Sequence, residues 1–264
     1  MGFTDHKGRN GYFVGKIIAV ASGKGGTGKT TTVAAVSSCL AALGHKTLCI
    51  DFDTGLKNLD LALCMSDYVV ADFLDVVNKR LSLMEACHAS PLIPNLFFLT
   101  APSTYTQTAG DPDDPGDLDV LPMFAEVRNE FDYCLVDSPS GVGAGFRLAH
   151  AAADMSIIVT TGELPAMRDA QMAVSAARKS GTGDVRLMIN RVIPANFNRF
   201  HTTFDDVIDT VGARLIGVVR DDASVLRSLQ MSIPLVLYKK RRAAYDFLDV
   251  ARRIAGEDVP LRIR

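Results

Sequence analysis

The sequence predicts an α/β fold: a doubly wound, mostly parallel sheet with helices on both faces. Two observations predict it. Short runs rich in Val, Ile, Leu or Phe recur without strict polar alternation, as strands buried on both faces require. Helix-length stretches separate those runs, and strand–helix alternation of this kind winds a parallel sheet. The strand candidates are Lys16–Ala21, Lys46–Ile50, Leu96–Thr100, Tyr133–Val136, Ser156–Thr160, Val185–Ile189 and Leu215–Val219. The clearest helix candidates are Lys29–Leu43, Ala166–Ser180 and Arg242–Ala255. In the last, Phe247, Leu248, Ala251 and Ile254 share one face, and Gly256 follows as a C-cap.

The chain has 264 residues, enough for a substantial core, with 28 Lys+Arg against 30 Asp+Glu and a formal charge of −2. Hydrophobic residues at 48% and charged residues at 22% exclude an intrinsically disordered chain. The near-neutral balance argues against a protein built mainly to coat nucleic acid, so any basic surface is local. No apolar stretch approaches the roughly 18–20 residues that span a bilayer. The segment Met1–Gly15 is mixed and polar without an apolar core, so it does not read as a signal peptide. Gly2 is followed by His6 where myristoylation wants Ser or Thr. No repeat or linker stands out beyond it. The expected organisation is a polar leader over 1–15 and one domain over 16–264.

Cys39, Cys49, Cys64, Cys87 and Cys134 form no CxxC pair and are odd in number, which favours a reducing, cytoplasmic setting over a disulfide framework. The histidines show no ligand spacing, so a metal site made wholly of side chains is not expected. The segment Gly110–Asp119 packs five Asp with two Pro and two Gly and reads as a solvated loop, because its spacing does not fit a calcium loop.

The chemistry is concentrated after the first strand. Ser22–Thr31 (SGKGGTGKTT) satisfies GxxxxGK[ST] between a buried strand and a helix, the context that pattern requires. Its glycines let backbone N–H groups turn inward and the helix N-terminus adds its dipole, forming an anion cradle from Gly23, Gly25, Gly26, Thr27, Gly28 and Thr31. Lys29 can then reach the β- and γ-phosphates of a nucleotide, and the Thr30 hydroxyl can ligate Mg²⁺. Lys24 is an extra lysine that a one-subunit cradle does not need. It reads either as a solvated charge or as a group reaching a phosphate bound by a partner subunit, as an arginine finger does in trans. Asp51 and Asp53 follow the second strand, and Asp137 ends the fourth strand candidate. In open α/β sheets ligands bind beyond the carboxyl ends of the strands, so these carboxylates should converge on the loop. Of them, one would hold Mg²⁺ through water and another would orient an attacking water.

These residues resemble the ParA/MinD family of deviant Walker A P-loop ATPases. The carrying segments are Gly23–Thr31 with Lys24, Asp51–Asp60 (DFDTGLKNLD) and Asp137–Val142 (DSPSGV). Val159–Glu163 (VTTGE), Met167–Asp169 (MRD), Asn190-Arg191 and Ser224–Arg227 (SVLR) add support, and the two acidic segments point to the septum-positioning branch of the family. The resemblance implies an ATP- and Mg²⁺-dependent homodimer. Lys24 would cross the interface, Asp53 would position the hydrolytic water, and Asp51 and Asp137 would support the metal. Asn190 matches the adenine-reading position and Asp222 lies where a second base contact is expected. The implied partners are a division inhibitor and an activator of hydrolysis, with the ATP dimer peripheral at the inner face of the membrane.

The sequence departs from the family pattern in places. Arg220 stands where Pro is frequent, Ser232 where Gly is frequent, and Gly143 where an acidic residue is frequent. The resemblance also implies a basic amphipathic helix after the last core helix. Gly256–Arg264 holds Pro260 and only Leu261 and Ile263 beyond it, too little for a helix that lies in a membrane. An alternative surface is DNA, held non-specifically by Lys239, Lys240, Arg241 and Arg242 with Arg252 and Arg253; the bland reading of that cluster is a solvated helix start.

Overall fold

A computed structural model describes residues 14–53, 58–66, 70–102, 118–194, 203–238 and 242–262. Most of the leader, most of the acidic segment at 110–119, residues 54–57 of the second motif and residues 239–241 of the basic cluster therefore lie outside the described residues.

The described residues form a sheet of eight strands: β1 (Lys16–Ala21), β2 (Thr47–Asp51), β3 (His88–Ala89), β4 (Leu96–Leu99), β5 (Tyr133–Asp137), β6 (Met155–Thr160), β7 (Asp184–Val192) and β8 (Arg214–Arg220). Their order is β3-β4-β2-β5-β1-β6-β7-β8, and every pairing is parallel except the short β3 against β4. β1 thus sits centrally between β5 and β6, so successive chain crossovers leave it in opposite directions and open a crevice at its carboxyl end. The expected doubly wound fold is what the chain adopts.

The lack of polar alternation in the strands has a direct cause. In β1, Ile18 and Val20 feed one core, while Ile17 and Ala21 feed cores on the other face. On the first face lie α1 (Lys29–Ala42) and the C-terminal helix Arg242–Ile254. Helix α1 is buried nearly all round, since it is wedged between the sheet and that last helix; Val33, Val36 and Leu40 are fully enclosed. The last helix buries the stripe Ala243, Phe247, Val250, Ala251 and Ile254, and Gly256 follows in the left-handed region at φ 91. The predicted face holds except that Leu248 is only partly buried and Val250 carries the central contact.

Between β2 and β4 come three short helices, α2 (Leu59–Leu63), α3 (Phe73–Val77) and α4 (Leu83–Ala86). The opposite face carries α5 (Leu121–Glu130), α6 (Ala144–His150), α7 (Leu164–Lys179) and α8 (Phe204–Val211). After β8 follow α9 (Ala223–Gln230), α10 (Leu235–Tyr238) and the last helix, hereafter α11. Among the described residues, no helix is long and apolar enough to cross a membrane, and the cysteines are free thiols.

Candidate nucleotide site

The Gly-rich loop leaves β1 at its carboxyl end and runs straight into α1. Ser22 braces it by donating its hydroxyl to the Lys24 carbonyl oxygen at 2.7 Å. Gly28, at the N-cap of α1, has φ 96, and a side chain there would also collide with the Asn190 amide. Gly23 is needed for a different reason: the backbone of Asp169 in α7 passes where its Cβ would stand. No side chain caps the first turn of α1, so its N–H groups face the cleft with the positive end of the helix dipole. Lys29 is buried, with its Nζ 2.9 Å from Ser140 Oγ. Lys24 projects to solvent from the same loop.

Two carboxylates face this cradle from neighbouring strands. Asp51 ends β2, Asp137 ends β5, and the parallel register sets them side by side. Each is only 1% exposed. Burial, aided by the neighbouring Asp137 charge, pushes the Asp51 carboxyl up to about 7. Burial also raises Asp137, to about 6, against the opposing pull of a Thr30 hydrogen bond and the Lys29 ammonium. Among the described residues, Asp51 Oδ2 and Asp137 Oδ1 find no hydrogen-bond partner, although both are enclosed. Asp53 leans into the cleft, and its backbone N–H donates to Asp51 Oδ1 at 2.8 Å.

Two orphaned, buried carboxylate oxygens beside a threonine hydroxyl and a phosphate cradle fit a hard divalent cation such as Mg²⁺. Among the described residues, no three His, Cys, Asp or Glu side chains gather into a metal cage. The remaining ligands would therefore come from Thr30, water and phosphate, the usual habit of Mg²⁺.

The cleft above the loop measures about 860 Å³, within the range of small-molecule sites. Its lining includes Gly25, Gly26, Gly28, Lys29, Thr30, Thr31 and Asp53. The two sequence-predicted base contacts, Asn190 and Asp222, are not among its lining residues. Asn190 is tucked beneath the loop, where its Nδ2 donates to the Thr27 carbonyl at 2.8 Å and its Oδ1 accepts from the Arg191 N–H at 2.9 Å. Asp222 caps α9, accepting from the Ser224 N–H at 2.8 Å, and also accepts from the Ala243 N–H at 3.3 Å. Residues absent from the predicted set do line the cleft: Ser140, Arg191, Leu61 and Leu229. Arg191 had a weak signal, its adjacency to Asn190; it adopts φ 55, rare for a non-glycine residue.

The comparisons with known proteins decide the family. A family model described as an AAA domain (AAA_31) matches residues 15–179. The septum site-determining protein MinD of Thermotoga maritima is 37% identical over 251 residues, covering 94% of this chain and 91% of that relative. The chain belongs to the MinD family of septum site-determining ATPases. MinD of Bacillus subtilis is 33% identical over 253 residues, with 95% and 92% of the two chains covered. Among solved structures, MinD from the MinC:MinD cell division complex of Aquifex aeolicus superimposes with a TM-score of 0.82 at 30% identity, covering 94% of this chain and 98% of that one. Pyrococcus horikoshii MinD, complexed with Mg-ADP, gives 0.76 at 26% identity, covering 90% and 95%. As a MinD-type P-loop protein the chain is an ATPase, with ATP as its nucleotide and Mg²⁺ as its metal.

Proposed function

We propose that this chain is a nucleotide-controlled switch in placement of the division septum, cycling between a monomer and an ATP-bound homodimer. The observation that carries the reading is the convergence of the loop, Lys29, Thr30 and the two orphaned carboxylates on one crevice. Backbone N–H groups from Gly23 to Thr31 cradle the phosphates, and Lys29 neutralises the β- and γ-phosphate charge. Thr30, Asp51 and Asp137 are the residues that would hold Mg²⁺, which would supply charge neutralisation at the phosphates when bound. Asp53 sits at the cleft wall and orients the attacking water. Lys24, exposed at the lip of the same loop, is free to reach the nucleotide of a facing subunit. Asn190, bonded beneath the loop, and Asp222, which caps α9, would support base binding by steadying the backbone around the cleft.

The ATP dimer would engage a division inhibitor, by likeness to the Aquifex aeolicus complex, and an activator that triggers hydrolysis and release. Its surface would be the membrane, peripheral from the cytoplasmic side. The described part of the basic cluster gives DNA little support. Arg253 spends its guanidinium on the carbonyls of Ile216, Val259 and Pro260, and Arg252 pairs with Glu257.

Sedimentation velocity with Mg-ATP tests the switch. The wild-type chain is expected to dimerise with ATP and not with ADP, while Lys24→Ala keeps nucleotide binding and loses about 10³-fold of stimulated turnover. Stimulated hydrolysis at the wild-type rate in Lys24→Ala would end the in-trans assignment. Pelleting with anionic liposomes, set against ATP-dependent retention on DNA, separates the two surfaces; DNA retention that falls steeply with salt would overturn the membrane.

A further inference from the structure

The segment after β5 is docked onto the Gly-rich loop at two points. Gly141 donates its N–H to the Ser22 carbonyl at 3.2 Å, and Ser140 Oγ accepts from Lys29 Nζ at 2.9 Å. A hydroxyl has one proton to give and two lone pairs to receive with. Lys29 has no lone pair, so Ser140 is the acceptor in this contact and its own proton is left to point elsewhere. Ser140 lines the same cleft as Lys29, Thr30 and Asp53. The lysine that is to neutralise the terminal phosphates therefore holds a neutral donor beside itself, aimed by a charge-assisted bond.

We infer that Ser140 is a further binding residue for the terminal phosphate: its hydroxyl, held by Lys29, donates to an oxygen of the γ-phosphoryl group. This rests on the nucleotide reading above and sharpens it, because it makes Ser140 a discriminator between triphosphate and diphosphate. Lys29 spans the β- and γ-phosphates, whereas a hydroxyl held at the tip of its Nζ is placed to meet the outermost phosphate alone.

The position also explains what the contact would transmit. Pro139, the residue before Ser140, packs so closely on α6 that a side chain at Gly145 would meet its ring at 2.6 Å. Gly141 beyond it has φ 87, a backbone state that glycine adopts without strain. A shift of Ser140 toward phosphate thus pivots at Gly141 and is passed to α6 through Pro139. Val142, just before α6, and Phe146 and Arg147 within it border a surface groove against α7.

The test is the affinity of a non-hydrolysable ATP analogue and of ADP, each with Mg²⁺, for the wild-type chain, Ser140→Ala and Ser140→Thr. Losing a donor to a charged acceptor should weaken the analogue about tenfold in Ser140→Ala, with ADP changed less than about twofold. Ser140→Thr keeps the hydroxyl and should restore the preference for the triphosphate. Undiminished ADP binding by Ser140→Ala reports an intact fold in the same experiment. Equal weakening of both nucleotides, or of neither, overturns the assignment of Ser140 and leaves the nucleotide site standing. Failure of the wild-type chain to bind either nucleotide overturns both.

Discussion

The buried carboxylate pair makes a quantitative claim about the nucleotide-free protein. Asp51 has its carboxyl raised from 3.8 to about 7, by burial first and by the Asp137 charge second. A folded-state value above the unfolded one means the folded chain binds the proton more tightly. That stability is fully present below the unfolded value and is lost as pH rises through the folded value. Between pH 5 and pH 8, Asp51 alone should cost roughly 2–3 kcal/mol, at 1.36 kcal/mol per unit. For a chain of this size that is about 5–10 °C in Tm. Asp51→Asn removes the titration, and any packing penalty of the amide is an offset independent of pH. The assay is thermal unfolding of wild type and Asp51→Asn without nucleotide or metal, from pH 5 to pH 8. The expected result is a difference between the two chains that moves in favour of the variant as pH rises. Mg-ADP should erase the trend in wild type by satisfying the carboxylate, and should help the variant less. A difference that stays flat across that range would refute the reasoning, since Asp51 would then be neither desolvated nor poised for a cation.

Asp53→Ala should retain ATP binding and accumulate as an ATP-bound dimer, because the water loses its orienting group while the cradle is untouched; size-exclusion chromatography showing only ATP-bound monomer would count against that role. Arg220→Ala should lower stability by about 3–5 kcal/mol in urea unfolding, since it strands Asp246, a carboxylate 1% exposed that now receives the Arg220 Nε at 2.9 Å and its backbone N–H at 3.0 Å. Loss of under about 1 kcal/mol would mean that the pair is offset by its own desolvation.

Much of this was legible because the strands are short and buried on both faces. Periodicity placed β1 at its observed bounds and missed the ends of most other predicted strands by a single residue, where polar ends such as Asp51, Asp137 and Asp184 extend the ladders, while β7 runs three residues past its predicted end to Val192. The two-residue β3 carries no pattern, being made by register with β4 alone. The short helices α3 and α4 were not among the predicted elements, although each carries a local start signal. Ser82 and Glu85 close a capping box at α4, as do Asp72 and Asp75 at α3, and both are local signals. The Gly-rich loop was legible for the opposite reason: its function needs fixed residue types at consecutive positions, so chemistry and sequence coincide.

Asn190 and Asp222 are where local reading runs out, and their places suggest why. Each makes a local bond, Asn190 to the Arg191 N–H and Asp222 to the Ser224 N–H, but another partner of each is distant in sequence. Asn190 stands at the end of β7 and meets Thr27, far away in sequence, only because β6 places β7 two strands from β1. Asp222 accepts a first-turn N–H from both α9 and α11, at Ser224 and Ala243, while Arg220 clamps Asp246 one turn further along α11. Asp221 in turn donates its N–H to Val192 at 2.9 Å. A continuous path of hydrogen bonds and peptide links therefore joins the Gly-rich loop, through Asn190 and the end of β7, to the start of α11. A residue placed in such a path holds the wall in place, and the sequence motif that names the residue says nothing about which of its atoms remain to face a ligand. That is a reason to test Arg220 with nucleotide present as well as absent: if the path carries strain between the base region and α11, the stability lost in Arg220→Ala should be accompanied by weaker ADP binding, and a stability loss with unchanged ADP affinity would show that the clamp serves α11 alone.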